Sequence, residues 1–113
     1  MSRRFDSLAE SLEPGESLVA AAGAIVSRRR RRGHNVPKGP FILAVTDRRL
    51  VAFATSSWRL HPGEIIVSWD KHDGATIGPA ALGRIRLVLP DRSVVTLSPF
   101  GGWSLRPLLA ASA

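Results

Sequence analysis

The chain has 113 residues, 44% hydrophobic but only 6% aromatic, and a formal net charge of +7. That length fits one domain, with a core of Val, Leu, Ile and Ala rather than large rings. With no cysteine, disulfides, thiolate catalysis and cysteine-based zinc sites are excluded.

The charge is uneven: residues 1–16 sum to −2, residues 17–40 to +6 and residues 41–113 to +3. A local basic segment points to an anionic partner more firmly than a high isoelectric point does. The apolar run Leu18–Val26 is too short to span a bilayer, and its acidic lead makes it a poor signal peptide. The expected location is the cytoplasm, with peripheral attachment at the inner face of the membrane.

In chain order, Phe5, Leu8, Ala9 and Leu12 fall at i, i+3, i+4 and i+7, one face of an α-helix. Residues 1–15 are therefore expected to form a short helical lead that Pro14–Gly15 stops and that lies against the sheet. Ser7 with Glu10 has capping-box spacing, and Ser2 offers an earlier start. Glu16–Ser27 fits a helix through its alanines or a buried strand through Leu18–Val19, Gly23 and Ile25–Val26. Arg28–Pro40, RRRRRGHNVPKGP, reads as loop, since adjacent like charges repel and Gly33, Pro37, Gly39 and Pro40 punctuate it.

Phe41–Val45 and Leu50–Ala54 are apolar runs of strand length on either side of Thr46–Asp47–Arg48–Arg49. They predict a hairpin in which Asp47 takes the first position of a type I turn and its carboxylate accepts N–H groups of that turn. Leu50, Ala52 and Ala54 alternate with Val51, Phe53 and Thr55, so both faces of the second arm are largely apolar. Trp58–Leu60 is a candidate short strand, and Pro62–Gly63 a turn. Glu64–Asp70 then alternates with Ile65, Val67 and Trp69 on one face. Lys71–Gly74 turns, and Gly78–Pro79 makes Ala75–Gly83 irregular. Arg84–Leu89 places Ile85, Leu87 and Leu89 inward and Arg84 and Arg86 outward. Pro90–Asp91–Arg92 turns the chain, and Ser93–Ser98 returns. After a hinge at Phe100–Gly102, residues 103–113 read as a helix capped by Ser104, with Leu105, Leu108 and Leu109 on one side. The sum is a mostly β fold of six or seven strands followed by one helix.

Arg28, Arg29, Arg30, Arg31 and Arg32 with Lys38 are the candidate anion-binding residues. Guanidinium groups bind phosphate bidentately, and each cation near an acidic leaflet contributes about 1 kcal/mol. Nucleic-acid phosphates are a second target, and a merely solvated charge run is the competing reading. Arg84 and Arg86, with Arg48 and Arg49 at the hairpin tip, either extend this surface or are simply exposed. No aromatic residues interleave with them as a base-stacking platform requires. Asp70, His72 and Asp73 match no closed metal site, so no metal or cofactor is expected. With no strained Gly-x-Ser-x-Gly turn and no phosphate-cradling glycine loop, the chain reads as non-enzymatic.

Four stretches carry a family resemblance: Leu12-Glu13-Pro14-Gly15-Glu16, the hairpin Phe41–Phe53 with its VTDRRLVAF, His61-Pro62-Gly63-Glu64-Ile65, and the Leu87–Leu97 hairpin. Together they resemble the bacterial pleckstrin-homology-like (PH-like) and GRAM-like domains over roughly residues 10–110. The resemblance implies a single domain over residues 1–113, with Glu16–Ser27 as its first strand. Its fold would be a bent antiparallel barrel of about seven strands, capped by the C-terminal helix. The 28–40 loop matches the connection whose basic residues hold phosphates in phosphoinositide-binding members. Here Lys38 is followed by Gly39 and Pro40 where those members carry a further basic pair. The expected role is a binding module for anionic phospholipid headgroups. Alternatives are a protein-interaction or self-association module using a strand edge or the groove beside the helix, and, third, non-specific nucleic-acid binding.

Overall fold

The computed structural model describes residues 12–29, 39–55, 62–70, 74–90, 92–100 and 104–112. Among the described residues seven strands form one antiparallel sheet: β1 (Leu18–Arg29), β2 (Phe41–Thr46), β3 (Arg49–Thr55), β4 (Pro62–Asp70), β5 (Thr76–Pro79), β6 (Ile85–Val88) and β7 (Val94–Pro99). A short helix, α1 (Arg106–Ser112), follows. The strand order is β4-β3-β2-β1-β7-β6-β5, so the first and last strands are neighbours and the edges are β4 and β5.

The expected barrel is not closed, and strand parity gives the reason. Six antiparallel steps separate β4 from β5, so the two edges run in the same direction and no antiparallel ladder can join them. The sheet nevertheless bends strongly. In a flat sheet the edges would lie about 29 Å apart, at about 4.8 Å per strand. Residues 71–75, which connect them, reach only about 20 Å. The bend brings the inner faces of both halves onto one core, formed by Phe41, Leu43, Val45, Leu50, Trp69, Ile85, Leu87, Val95 and Leu97 with Leu105, just before α1, and Leu108 within it.

β1 settles the ambiguity of Glu16–Ser27 in favour of a strand. It pairs with β2 from Leu18 to Ala24, and with β7 from Ala24 to Arg29. Its inward residues Ala20, Ala22 and Ala24 are small, and α1 packs where they leave room. The outer face of the first half is buried too. Ala21, Ile42, Ala44, Val51 and Phe53 form a second cluster with Leu12, Leu18 and Phe100 against it. Both faces of β3 are therefore apolar and buried, as its alternation predicts. Of the expected helical lead over residues 1–15, residues 12–15 are described and are not helical, because Glu13–Glu16 close a turn, and the remainder lies outside the described residues.

Several expectations need correction. Pro62 and Gly63 are not a turn, because β4 already begins at Pro62, opposite Thr55 of β3. Arg28 and Arg29 are not loop, because pairing with Thr96 and Val95 of β7 extends β1 through them. Gly78 and Pro79 do not interrupt a strand, because β5 is an edge and its outer side needs no donor. Ile65 does not share the face of Val67 and Trp69. A register shift places Val67 opposite Ala52 but Ile65 opposite Phe53, which turns Ile65 out to 37% exposure. The C-terminal helix is shorter than residues 103–113, running Arg106–Ser112, with the Arg106 N–H donating to Ser104 Oγ at 3.3 Å. Trp58–Leu60, Lys71–Asp73, Asp91 and Trp103 lie outside the described residues.

Two hairpin turns shape the second half. The Arg92 N–H closes on the Leu89 carbonyl at 2.9 Å, with Pro90 in the second turn position as expected. The Arg84 N–H closes on the Ala81 carbonyl at 3.2 Å, around Leu82 (φ 60, ψ 39) and Gly83 (φ 74). Two left-handed central residues make a type I′ turn, which matches strand twist but favours Asn or Gly. Leucine in this conformation costs about 1–2 kcal/mol. Leu82→Asn is accordingly expected to stabilise the fold by about 1 kcal/mol, which urea denaturation of the two proteins measures.

Candidate functional site

The best-built polar constellation joins the segment before β1 to the β2–β3 turn. Glu13-Pro14-Gly15-Glu16 is a tight turn closed by the Glu16 N–H on the Glu13 carbonyl at 3.0 Å, with Gly15 at φ 82. Pro second and a left-handed Gly third is the type II signature. A Cβ on Gly15 would also stand 3.2 Å from Arg48 Nη2. This turn delivers Glu16 under the hairpin.

There the Glu16 carboxylate is filled. Oε2 accepts Arg49 Nε–H at 2.8 Å and the Thr46 hydroxyl at 2.7 Å. Oε1 accepts Arg49 Nη2–H at 2.9 Å and the Glu13 N–H at 3.1 Å. The Glu16 side chain has no exposed surface, and Arg49 has 12%. The hydrogen bond from Arg49 is the largest cause holding the Glu16 carboxyl down at about 2, against 4.5 ordinarily, although burial opposes it. The same bond raises the Arg49 pKa.

Asp47 does not cap its own turn as expected. Its carboxylate accepts the Ser17 N–H at 3.0 Å, while its N–H donates to the Ser17 carbonyl at 3.0 Å. Thr46 Oγ1 takes the turn donors instead, accepting the N–H groups of Arg48 (3.1 Å) and Arg49 (2.9 Å). All four acceptor positions of Glu16 are used, so the carboxylate has no capacity left for a substrate or metal. The constellation is a latch, not a reaction centre. Arg49 is therefore unavailable to a basic surface, and Arg48 lies 3.9 Å from Glu13 beside the start of β1, at the opposite end from the 28–40 segment.

The predicted anion-binding residues are only partly described. Arg30, Arg31, Arg32 and Lys38 lie outside the described residues, whereas Arg28 and Arg29 occupy the last two positions of β1. Their register was not foreseen. Arg28 is opposite Thr96, and Thr96 is opposite Arg86. Arg28 and Arg86 thus share one cross-strand row, two strand spacings or about 10 Å apart. Arg84 and Arg86 are exposed as predicted, and Arg92 in the β6–β7 turn is exposed too. Residues 74–113 hold one acid, Asp91, against four arginines. The described acids, Glu13, Glu16, Asp47, Glu64 and Asp70, all lie outside this half.

Among the described residues there is no cluster of three potential metal ligands, and no helix is long and apolar enough to cross a membrane. In comparison with known proteins, no family model matches the chain, and neither does any curated protein or solved structure.

The latch carries a pH signature. A carboxyl whose folded pKa is depressed contributes stability above its unfolded pKa and loses it as the pH falls through the folded one. The contribution of Glu16 is full above about 4.5 and disappears toward about 2, a drop worth about 3 kcal/mol. Glu16→Gln is expected to lose about that much at neutral pH, and its deficit should shrink steadily on acidification. Urea midpoints of both proteins between those pH values check the sign.

Proposed function

We propose that this chain is a non-enzymatic, PH-like binding module for anionic phospholipid surfaces, acting through Arg28, Arg29, Arg30, Arg31, Arg32 and Lys38. The observation that carries the reading is charge segregation. The first two arginines of the run, Arg28 and Arg29, end β1 at the row of Arg86, in a half with one acid in residues 74–113. Pairing of Arg28 and Arg29 with β7 gives the run a fixed base, which a merely solvated charge run does not need. Cations gathered on one side of a small domain attract an extended anionic surface more strongly than the same cations dispersed.

The PH-like assignment has topological support. The sheet meanders, its first and last strands pair, and its seam falls between the consecutive strands β4 and β5. That is the order of a strongly bent sheet one step short of a barrel, with a C-terminal helix packed on β1, β2 and β5. Partner addition at a sheet edge is less well supported. β5 is four residues long and ends in Pro79, and β4 carries two register shifts, both features that blunt an edge.

The expected result is co-sedimentation with phosphatidylglycerol-containing vesicles, weakening as salt screens the charges, and none with neutral vesicles. Replacing Arg28–Arg32 by serine is expected to reduce binding at low salt by at least about a hundredfold, since each cation is worth about 1 kcal/mol. Equal affinity for a DNA duplex would recast the module as a general polyanion binder. An interaction that survives both high salt and the serines would point to a protein partner.

A further inference from the structure

The β5–β6 hairpin carries an apolar tip that the fold does not require. Pro79, Ala81 and Leu82 are exposed, Leu82 to 86%. A lone exposed leucine is ordinary on a protein surface. This one also sits at φ 60, where asparagine or glycine would fit without strain. Strain of this kind persists where another demand keeps it, and such positions cluster at binding and switching sites.

What flanks the tip indicates the demand. Arg84 stands two residues beyond Leu82 and Arg86 four, both exposed. At about 3.3 Å per residue these positions lie about 7 and 13 Å along the hairpin from the tip. Arg86 shares its row with Thr96 and Arg28 on the neighbouring strands. Nine residues separate Arg29 from Gly39, chain enough to reach about 15 Å from that row. The order from tip to base is apolar, then cationic, without an acid in β5, β6 or β7. An anionic leaflet is layered the same way, with acyl chains below phosphates over about 5–10 Å. A DNA backbone offers the phosphates but has no apolar layer beneath them.

We propose that Leu82 is an apolar membrane anchor. The β5–β6 hairpin meets an anionic phospholipid leaflet obliquely, tip lowest, with Leu82 in the acyl boundary and Arg84 and Arg86 at the phosphates. This rests on the anionic-surface reading above and adds an insertion point on the side of β6 away from the arginine run.

The chain has no cysteine, so Leu82→Cys accepts a single environment-sensitive fluorophore in the full-length protein. Its emission is expected to shift to the blue with phosphatidylglycerol–phosphatidylcholine vesicles and to stay unchanged with a DNA duplex. Leu82→Asn is expected to bind those vesicles about five- to tenfold more weakly than the parent, the effect of withdrawing a partly buried leucine from lipid. Its thermal stability should be equal or higher, which separates lost anchoring from lost folding. Unaltered vesicle binding by Leu82→Asn, with the label still in water, would overturn the anchor and leave the anionic reading standing. A parent protein that ignores anionic vesicles altogether would overturn both.

Discussion

The fold depends on β1 having different neighbours along its two halves. From Leu18 to Ala24 it pairs with β2, from Ala24 to Arg29 with β7, and Ala24 alone belongs to both ladders. A strand shared in this offset way makes the sheet step and fold over, which places Phe41 and Leu43 of one half in the same core as Ile85 and Leu87 of the other. The step needs small residues. Ala20, Ala22 and Ala24 face that core, and at Gly23 the carbonyl accepts the Phe100 N–H at 3.0 Å as the chain leaves β7. A larger side chain along this stretch would hold the halves apart and exclude Leu105 and the α1 residue Leu108 from their places. Low aromatic content is thus part of the same constraint: the core is thin at β1 because the strand is crowded from both sides.

That geometry divides the domain electrically. At the Leu18 end, acids are fixed by architecture: Glu16 is enclosed by Arg49 and Thr46, and Asp47 is bonded to Ser17. A buried pair of this kind is weak evidence for net stability compared with an apolar substitute, but it specifies register strongly. It fixes which residue of the β2–β3 hairpin meets the start of β1. Along β6 and in its turns the charges are the exposed arginines Arg84, Arg86 and Arg92. One half uses charge internally and the other displays it.

Much of the sheet was legible in the sequence because period-two alternation survives in it. Ile85 and Leu87 against Arg84 and Arg86, or the two apolar faces of β3, follow directly from that period. What escaped notice depends on contacts between distant segments. The bulge that moves Ile65 to the other face adds one residue to the strand, and nothing in the local pattern marks it. Arg28 and Arg29 look like loop because like charges repel, yet β7 supplies a ladder that outweighs local repulsion. The latch was missed for the same reason: Glu16 and Arg49 are 33 residues apart. A clue was present all the same, since the LEPGE and TDRR stretches that carried the family resemblance are the two that make this contact. The candidate site was legible as a basic run but not as a row, because only the β1–β7–β6 register puts Arg28 level with Arg86.

Backbone strain is divided along the same line as charge. Among the described residues the non-glycine residues with left-handed backbone are Leu82 and Arg92, and they occupy the turns at the two ends of β6. In the latch the equivalent demand is met by a glycine, Gly15, at no steric cost. A turn sequence free to relax would place glycine or asparagine at position 82, as position 83 already does. Selection for folding alone removes such residues easily, because the gain needs one substitution at an exposed site and disturbs no packing. An unrelieved leucine beside two exposed arginines is what the proposed insertion point at this tip accounts for, whereas the latch is accounted for by its own hydrogen bonds.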